Sequence, residues 1–284
     1  MVTTRQSVGD DVELGDYSGV DEPNFPEFVR QQVHDIHEAD GIASYNHPFG
    51  YEMDPLLSAA EQDARVSQLS SALLTNDLLG SDLIEVGYPI RGKCDIEHHL
   101  MMWDVLSRHA RFTTGTGTSD DHGGRNWHGI GNNWYTSVWS RTKDSDDLVD
   151  GLRAGRAWFA SLSRFRGTLD LVADGACSMG SASVSQVIRR QLQVIGTEIP
   201  TGGRVEVIRG VVDYTGSTAS TAIAASHPAS AFASGAVTLP IDTSQSCFVR
   251  TQVFDANGLL VAVSTPIWLL REKRPRRIPH SRAH

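Results

Sequence analysis

The sequence predicts an α/β half with parallel strands, followed by an antiparallel β-sandwich. Two observations carry this reading. Up to residue 160, short apolar runs alternate with stretches of helical period, the order expected of parallel strands and their crossover helices. From Ser161 onward the helical periods disappear, and the chain becomes rich in Ser, Thr, Val and Gly. The expected bounds are 1–160 for the α/β part, 161–270 for the sandwich and 271–284 for a basic, flexible tail.

The elements follow in order. Asn24 is placed to cap a helix from Pro26 to Ala39, whose Val29, Val33 and Ile36 share a face. Gly41 stops that helix, and Ile42–Tyr45 reads as a short buried strand. Ser58–Leu79 is mostly helical, and Asp82–Val86 is the next strand. Asp95–His109 is the strongest helix, because Ile96, Leu100, Trp103, Leu106 and Ala110 recur on one face. Arg111–Thr114 reads as the third strand. Asp144–Ala154 starts with acids and has Arg153 near its end, as a helix dipole prefers. In the second half, strands are expected at Leu169–Val172, Gln191–Ile195, Val205–Val212, Ala236–Pro240, Cys247–Phe254 and Leu259–Val263. Asn257-Gly258 is a hairpin turn between the last two.

Composition excludes several classes. The chain has 284 residues, 40% of them hydrophobic and 21% charged, which is globular and not disordered. Net charge is −9, yet residues from Arg271 on carry six basic groups and one acid, leaving −14 for residues 1–270. An acidic body of that kind argues against specific nucleic-acid binding. Cys94, Cys177 and Cys247 are far apart, so neither a thiolate zinc site nor a disulfide scaffold is indicated. No apolar run approaches the length of a membrane span, and the N-terminus lacks a signal-peptide pattern. No membrane partner is expected, and the default expectation is a cytoplasmic protein.

The chemistry-bearing residues sit in two short segments. Gly115-Thr116-Gly117-Thr118-Ser119-Asp120-Asp121-His122-Gly123 places a carboxylate and an imidazole two residues apart in a glycine-rich turn. Both groups are good ligands for a divalent ion. Tyr45-Asn46-His47-Pro48 likewise follows an apolar run. Two ligand sets at strand ends point to a metal site on the rim of an α/β fold. Alternatives stay open at single positions. Asp121 can replace Asp120 as ligand or contact substrate, and Asp120 can simply cap a helix. Glu85 either touches the site or is a solvated strand-end acid. His34 and His37 share a helix face that reads as polar surface, while His98, His99, His109 and His128 receive no role. Trp103, Trp127, Trp134, Trp139 and Trp158 read as core, and Ser119 lacks the context of a serine hydrolase.

Taken together, Asn46-His47-Pro48, Leu83-Ile84-Glu85-Val86 and Gly117-Thr118-Ser119-Asp120-Asp121-His122 resemble the PHP (polymerase and histidinol phosphatase) superfamily of metal-dependent hydrolases. Arg153-Ala154-Gly155-Arg156-Ala157-Trp158 adds to the resemblance, which spans about residues 24–160. It implies a distorted, TIM-like (β/α)7 barrel, here partial, with a metal cluster at the C-terminal ends of the strands. It implies His47, Asp120 and His122 as metal ligands, zinc, manganese or iron as cofactor, and a small-molecule phosphate ester or related compound as substrate. The catalytic residues themselves stay unassigned. The family's opening His-x-His motif occurs nowhere in this chain. The expectation is therefore an N-terminally truncated domain with an incomplete cluster and weak or absent activity. Two other readings remain: a non-catalytic domain that binds a partner or carbohydrate through the sandwich, and a metal-dependent hydrolase of carbon–nitrogen or carbamate bonds.

Overall fold

The computed structural model describes residues 25–50, 52, 54–120, 133–272 and 278–283. Helix α1 (Phe25–Glu38) buries Val33 and Ile36 against Ala43, the face its apolar spacing specifies. The cap expected at Asn24 lies outside the described residues. Strand β1 (Ser44–Tyr45) follows. Helix α2 (Ala59–Thr75) begins at Ser58. The Ser58 hydroxyl accepts from the Glu61 amide, while the Glu61 carboxylate accepts from the Ser58 amide. That exchange satisfies two amides at the helix start. The helix stops short of Leu79, because a 3-10 turn at Asp77–Gly80 puts Leu78 and Leu79 in the left-handed region.

Strand β2 (Leu83–Gly87) leads into a small hairpin of β3 (Ile90–Arg91) and β4 (Cys94–Asp95). Helix α3 (Ile96–Arg108) starts on the Asp95 carboxylate, which accepts from the His98 amide. Strands β5 (Thr114–Gly117) and β6 (Trp134–Val138), helix α4 (Ser145–Arg153) and strand β7 (Ala157–Ser161) complete the first half. The second half contributes β8 (Leu169–Ala173), β9 (Cys177–Ser178), β10 (Ala182–Val184), β11 (Arg189–Gly196) and β12 (Arg204–Val211). Then come β13 (Thr221–Pro228), β14 (Ala236–Asp242), β15 (Cys247–Phe254), β16 (Leu260–Ser264) and β17 (Ile267–Leu270).

β1, β2 and β5 form a parallel sheet in that order. Parallel pairing among the first-half strands ends there, and the expected barrel is corrected. The described chain is neither a (β/α)7 nor a TIM-like barrel, whole or partial. It is mostly β, with four α-helices against 17 strands. β6 and β7 pair antiparallel, and β7 pairs antiparallel with β16. They belong to an eight-stranded sheet with the order β10-β17-β15-β16-β7-β6, and β12 and β13 branch from β15. This sheet crosses residue 160, the expected boundary.

The burial of β7 accounts for this arrangement. All five of its residues are out of solvent. Phe159 packs on Trp103 and Trp134 in one core, whereas Trp158 and Ala160 enter the core of the second half. A strand covered on both faces satisfies its backbone only along its edges, and here β6 and β16 provide the partners. The order strand–helix–strand across β6, α4 and β7 reads as a parallel crossover in the sequence. Order alone does not set strand direction, however.

A four-stranded antiparallel sheet, β14-β11-β8-β9, shares the second core with the eight-stranded sheet. Alternation along β11 and β8 puts Leu192, Val194, Leu169 and Leu171 inside. The tail expected to be flexible is anchored at its far end. The buried Arg282 donates to the Gly180 carbonyl at 3.1 Å and to Thr114 Oγ1 at 2.7 Å. No described helix is long and apolar enough to cross a membrane.

Candidate functional site

Because β1, β2 and β5 run parallel, their C-terminal ends share one rim. His47 lies just beyond β1, Glu85 within β2, and Asp120 just beyond β5. Both His47 (φ 49°) and Asp120 (φ 52°) adopt left-handed backbone, uncommon for residues with a side chain. β5 reads Thr-Gly-Thr-Gly, and a Cβ on Gly115 would come within 2.7 Å of the Trp103 ring. The glycine lets α3 lie close behind the sheet.

The three side chains converge. His47 Nδ1 is 3.1 Å from Glu85 Oε2, and His47 Nε2 is 3.6 Å from Asp120 Oδ1. The Glu85 carboxylate also accepts from the His47 amide at 2.9 Å and from the Tyr88 hydroxyl. Tyr88 is fully buried, and burial together with the adjacent Glu85 charge pushes its hydroxyl pKa well above the ordinary tyrosine value. The phenol thus keeps its proton and directs it at Glu85.

This network defines the His47 tautomer. Having given its one proton to Glu85, the Tyr88 oxygen can only accept from His47 Nδ1, 3.1 Å away. In the neutral ring Nδ1 then carries the proton, and Nε2 presents a lone pair to the Asp120 carboxylate. Two electron-pair donors facing each other require a cation between them, either a proton on Nε2 or a metal ion. Two tetrahedral ligand atoms, each about 2.1 Å from an ion, lie roughly 3.4 Å apart. The observed 3.6 Å separation fits that spacing.

The other Asp120 oxygen is held by Arg91. Its Nη2 donates to Asp120 Oδ2, and its guanidinium lies 5.6 Å from the centre of the Tyr88 ring. The hairpin of β3 and β4 carries Arg91 to this place. Gly92 at its tip has φ +58°, and a Cβ there would come within 2.1 Å of the Phe49 carbonyl oxygen. The hairpin can press onto the turn after His47 only because position 92 lacks a side chain. Arg65 donating to the Gly92 carbonyl and the Lys93–Glu52 pair fasten it further.

Behind this layer lies His99, which is fully buried. Its Nδ1 donates to the Asp95 carbonyl at 2.8 Å, and its ring meets Phe49 edge-on. Burial lowers its pKa to about 4, so it is neutral near pH 7.

His47 and Asp120 meet as the sequence predicts, and Glu85 joins them. His122 and Asp121 lie outside the described residues. Among the described residues, no group of three or more His, Cys, Asp or Glu side chains is arranged to hold a metal ion. The expectation of a metal centre is corrected to that extent: the described chain supplies a two-donor arrangement, not a complete site. His37, read as polar surface, is paired with Asp82 at 2.8 Å. Tyr88 and Arg91 escaped sequence reasoning. Their only sequence signal is the turn-like Pro89-Ile90-Arg91-Gly92-Lys93, which marks a hairpin but not its direction.

Comparison with protein-family models, curated proteins and solved structures returns no match.

Proposed function

We propose that this cluster is part of a divalent-cation-dependent hydrolase site acting on phosphate esters, as the resemblance to the PHP superfamily implies. The observation that carries the reading is the 3.6 Å approach of His47 Nε2 to Asp120 Oδ1. Its support is chemical: an imidazole nitrogen and a carboxylate oxygen suit zinc, manganese or iron. His47 and Asp120 would hold the ion, with His122 as the further ligand that the motif supplies. Such an ion lowers the pKa of water and stabilises charge on phosphoryl oxygens. The chain's own residues do the rest. Glu85 and Tyr88 lock the His47 ring in the tautomer that exposes Nε2. Arg91 contributes positive charge beside Asp120.

With so few ligands, binding should be weak and turnover of p-nitrophenyl phosphate low. The test is calorimetric titration of the purified chain with manganese and zinc, alongside that assay. His47→Ala and Asp120→Ala should each weaken metal affinity about ten-fold or more, because each removes one ligand. Metal binding that is absent in the parent chain, or equal in both variants, would overturn the proposal.

A further inference from the structure

We infer that the cleft between the end of β6 and helix α4 is a binding subsite for an uncharged saccharide. This goes beyond the hydrolase reading and does not depend on it. The cleft has a volume of about 550 Å³ and is lined by Trp139, Ser140, Arg141, Asp147, Asp150 and Arg156, with Gly151 of α4. Small-molecule sites commonly fall between roughly 300 and 1,000 Å³.

Trp139 forms one wall. It is 36% exposed, although a tryptophan is highly buried on average. The exposed ring is nonetheless fixed. Its Nε1 donates to the Leu169 carbonyl at 2.9 Å, and it leans on the buried Trp158 with ring centres 5.4 Å apart. The Trp139 amide donates to the Arg156 carbonyl at 2.7 Å. Gly151 brings in the facing wall. A Cβ there would come within 2.7 Å of both the Trp139 carbonyl oxygen and Val138 Cγ2, so α4 lies against the end of β6 because position 151 has no side chain. The cleft is thus preformed around a rigid aromatic surface.

The polar groups beside Trp139 select the ligand class. Arg141 Nη2 is 2.7 Å from Asp147 Oδ1 and 3.8 Å from Asp150 Oδ2, so cations and carboxylates alternate along the cleft. Arg141 and Arg156 balance Asp147 and Asp150 in charge, which favours neither an anionic nor a cationic ligand. A purely apolar ligand would take water from these ions without replacing its hydrogen bonds. A saccharide meets both conditions. Its hydroxyls accept from guanidinium groups and donate to carboxylates. Its C–H groups suit the negative face of an indole. Arg141, with its side chain 80% exposed, can turn onto such a ligand without losing packing.

The cleft and the strand-end cluster lie at opposite ends of β5. Thr114, its first residue, donates to the Leu152 carbonyl on α4 at 2.7 Å, whereas Asp120 lies beyond its last residue. Saccharide binding in the cleft therefore needs no metal ion at the cluster.

The test is calorimetric titration of the full chain with maltohexaose, cellohexaose and chitohexaose, with EDTA and again with manganese. At least one should bind saturably, with the same affinity under both conditions. Trp139→Ala should weaken that binding about ten-fold or more, as expected for an aromatic anchor. Arg141→Ala should weaken it about three-fold or more through lost hydrogen bonds. Thermal melts of Arg141→Ala should match the parent chain, so its lost affinity is not unfolding. No saturable binding of these sugars overturns the inference. So does affinity unchanged in either folded variant, or binding that appears only with manganese. Tighter binding of adenosine or adenosine monophosphate than of every sugar would assign the cleft to a stacked base and overturn the ligand class.

Discussion

Asp104 on α3 and Arg250 on β15 form a two-pronged ion pair at 2.8 and 2.7 Å, although 146 residues separate them. Both side chains are almost wholly out of water, 5% and 3% exposed. The pair ties the helix behind the candidate site to the large sheet of the second half. Removing either partner alone leaves a buried charge without its counter-ion, which costs about 3–5 kcal/mol. Asp104→Ala and Arg250→Ala should each lose stability of that order in urea unfolding. Asp104→Leu combined with Arg250→Met should recover most of it, because the pair's desolvation cost disappears with both charges. Losses in Asp104→Leu and Arg250→Met measured singly that add strictly in their combination would show that the two residues are not coupled.

His99 makes stability depend on pH. Burial lowers its pKa from the ordinary histidine value of 6.5 to about 4 in the folded chain. The unfolded chain therefore takes up the proton more readily than the folded one. Its contribution is fully present above pH 6.5 and is lost as pH falls toward 4, a total on the order of 3 kcal/mol. Urea midpoints between pH 7 and 5 should fall more steeply for the parent chain than for His99→Phe. Parallel pH profiles would mean that another group controls this range.

Arg282 should matter although it lies near the chain's end. It is 2% exposed, and its guanidinium donates to Gly180 and Thr114, which are far apart in the chain. A Cβ on Gly155 would come within 1.8 Å of its guanidinium, so the pocket around it is closely fitted. Arg282→Ala should cost about 2 kcal/mol through lost packing and an unsatisfied neighbour, lowering Tm by roughly 4–8 °C. A shift below about 1 °C would show that the tail's anchoring is incidental.

Local chemistry made much of the first half legible. The face of Val33 and Ile36 and the helix starts at Ser58 and Asp95 each arise within a few residues, so spacing alone specifies them. His47 and Asp120 were readable as partners because each follows a strand, and parallel strands bring their ends together. Tertiary structure decided the rest. β5 proved to be the glycine-rich Thr114–Gly117 rather than Arg111–Thr114, since the space taken by Trp103 favours glycine there. The direction of β7 depended on which edges and faces were open to it, and β16, far along the chain, supplied one of those edges. Arg91 reached Asp120 because Gly92 fits against Phe49, a contact that no period or motif announces. Helical period and helix starts are short-range properties that the sequence determined by itself. Strand direction, the shared cores and the charge facing Asp120 depend on burial among distant segments, and only the folded chain decides burial.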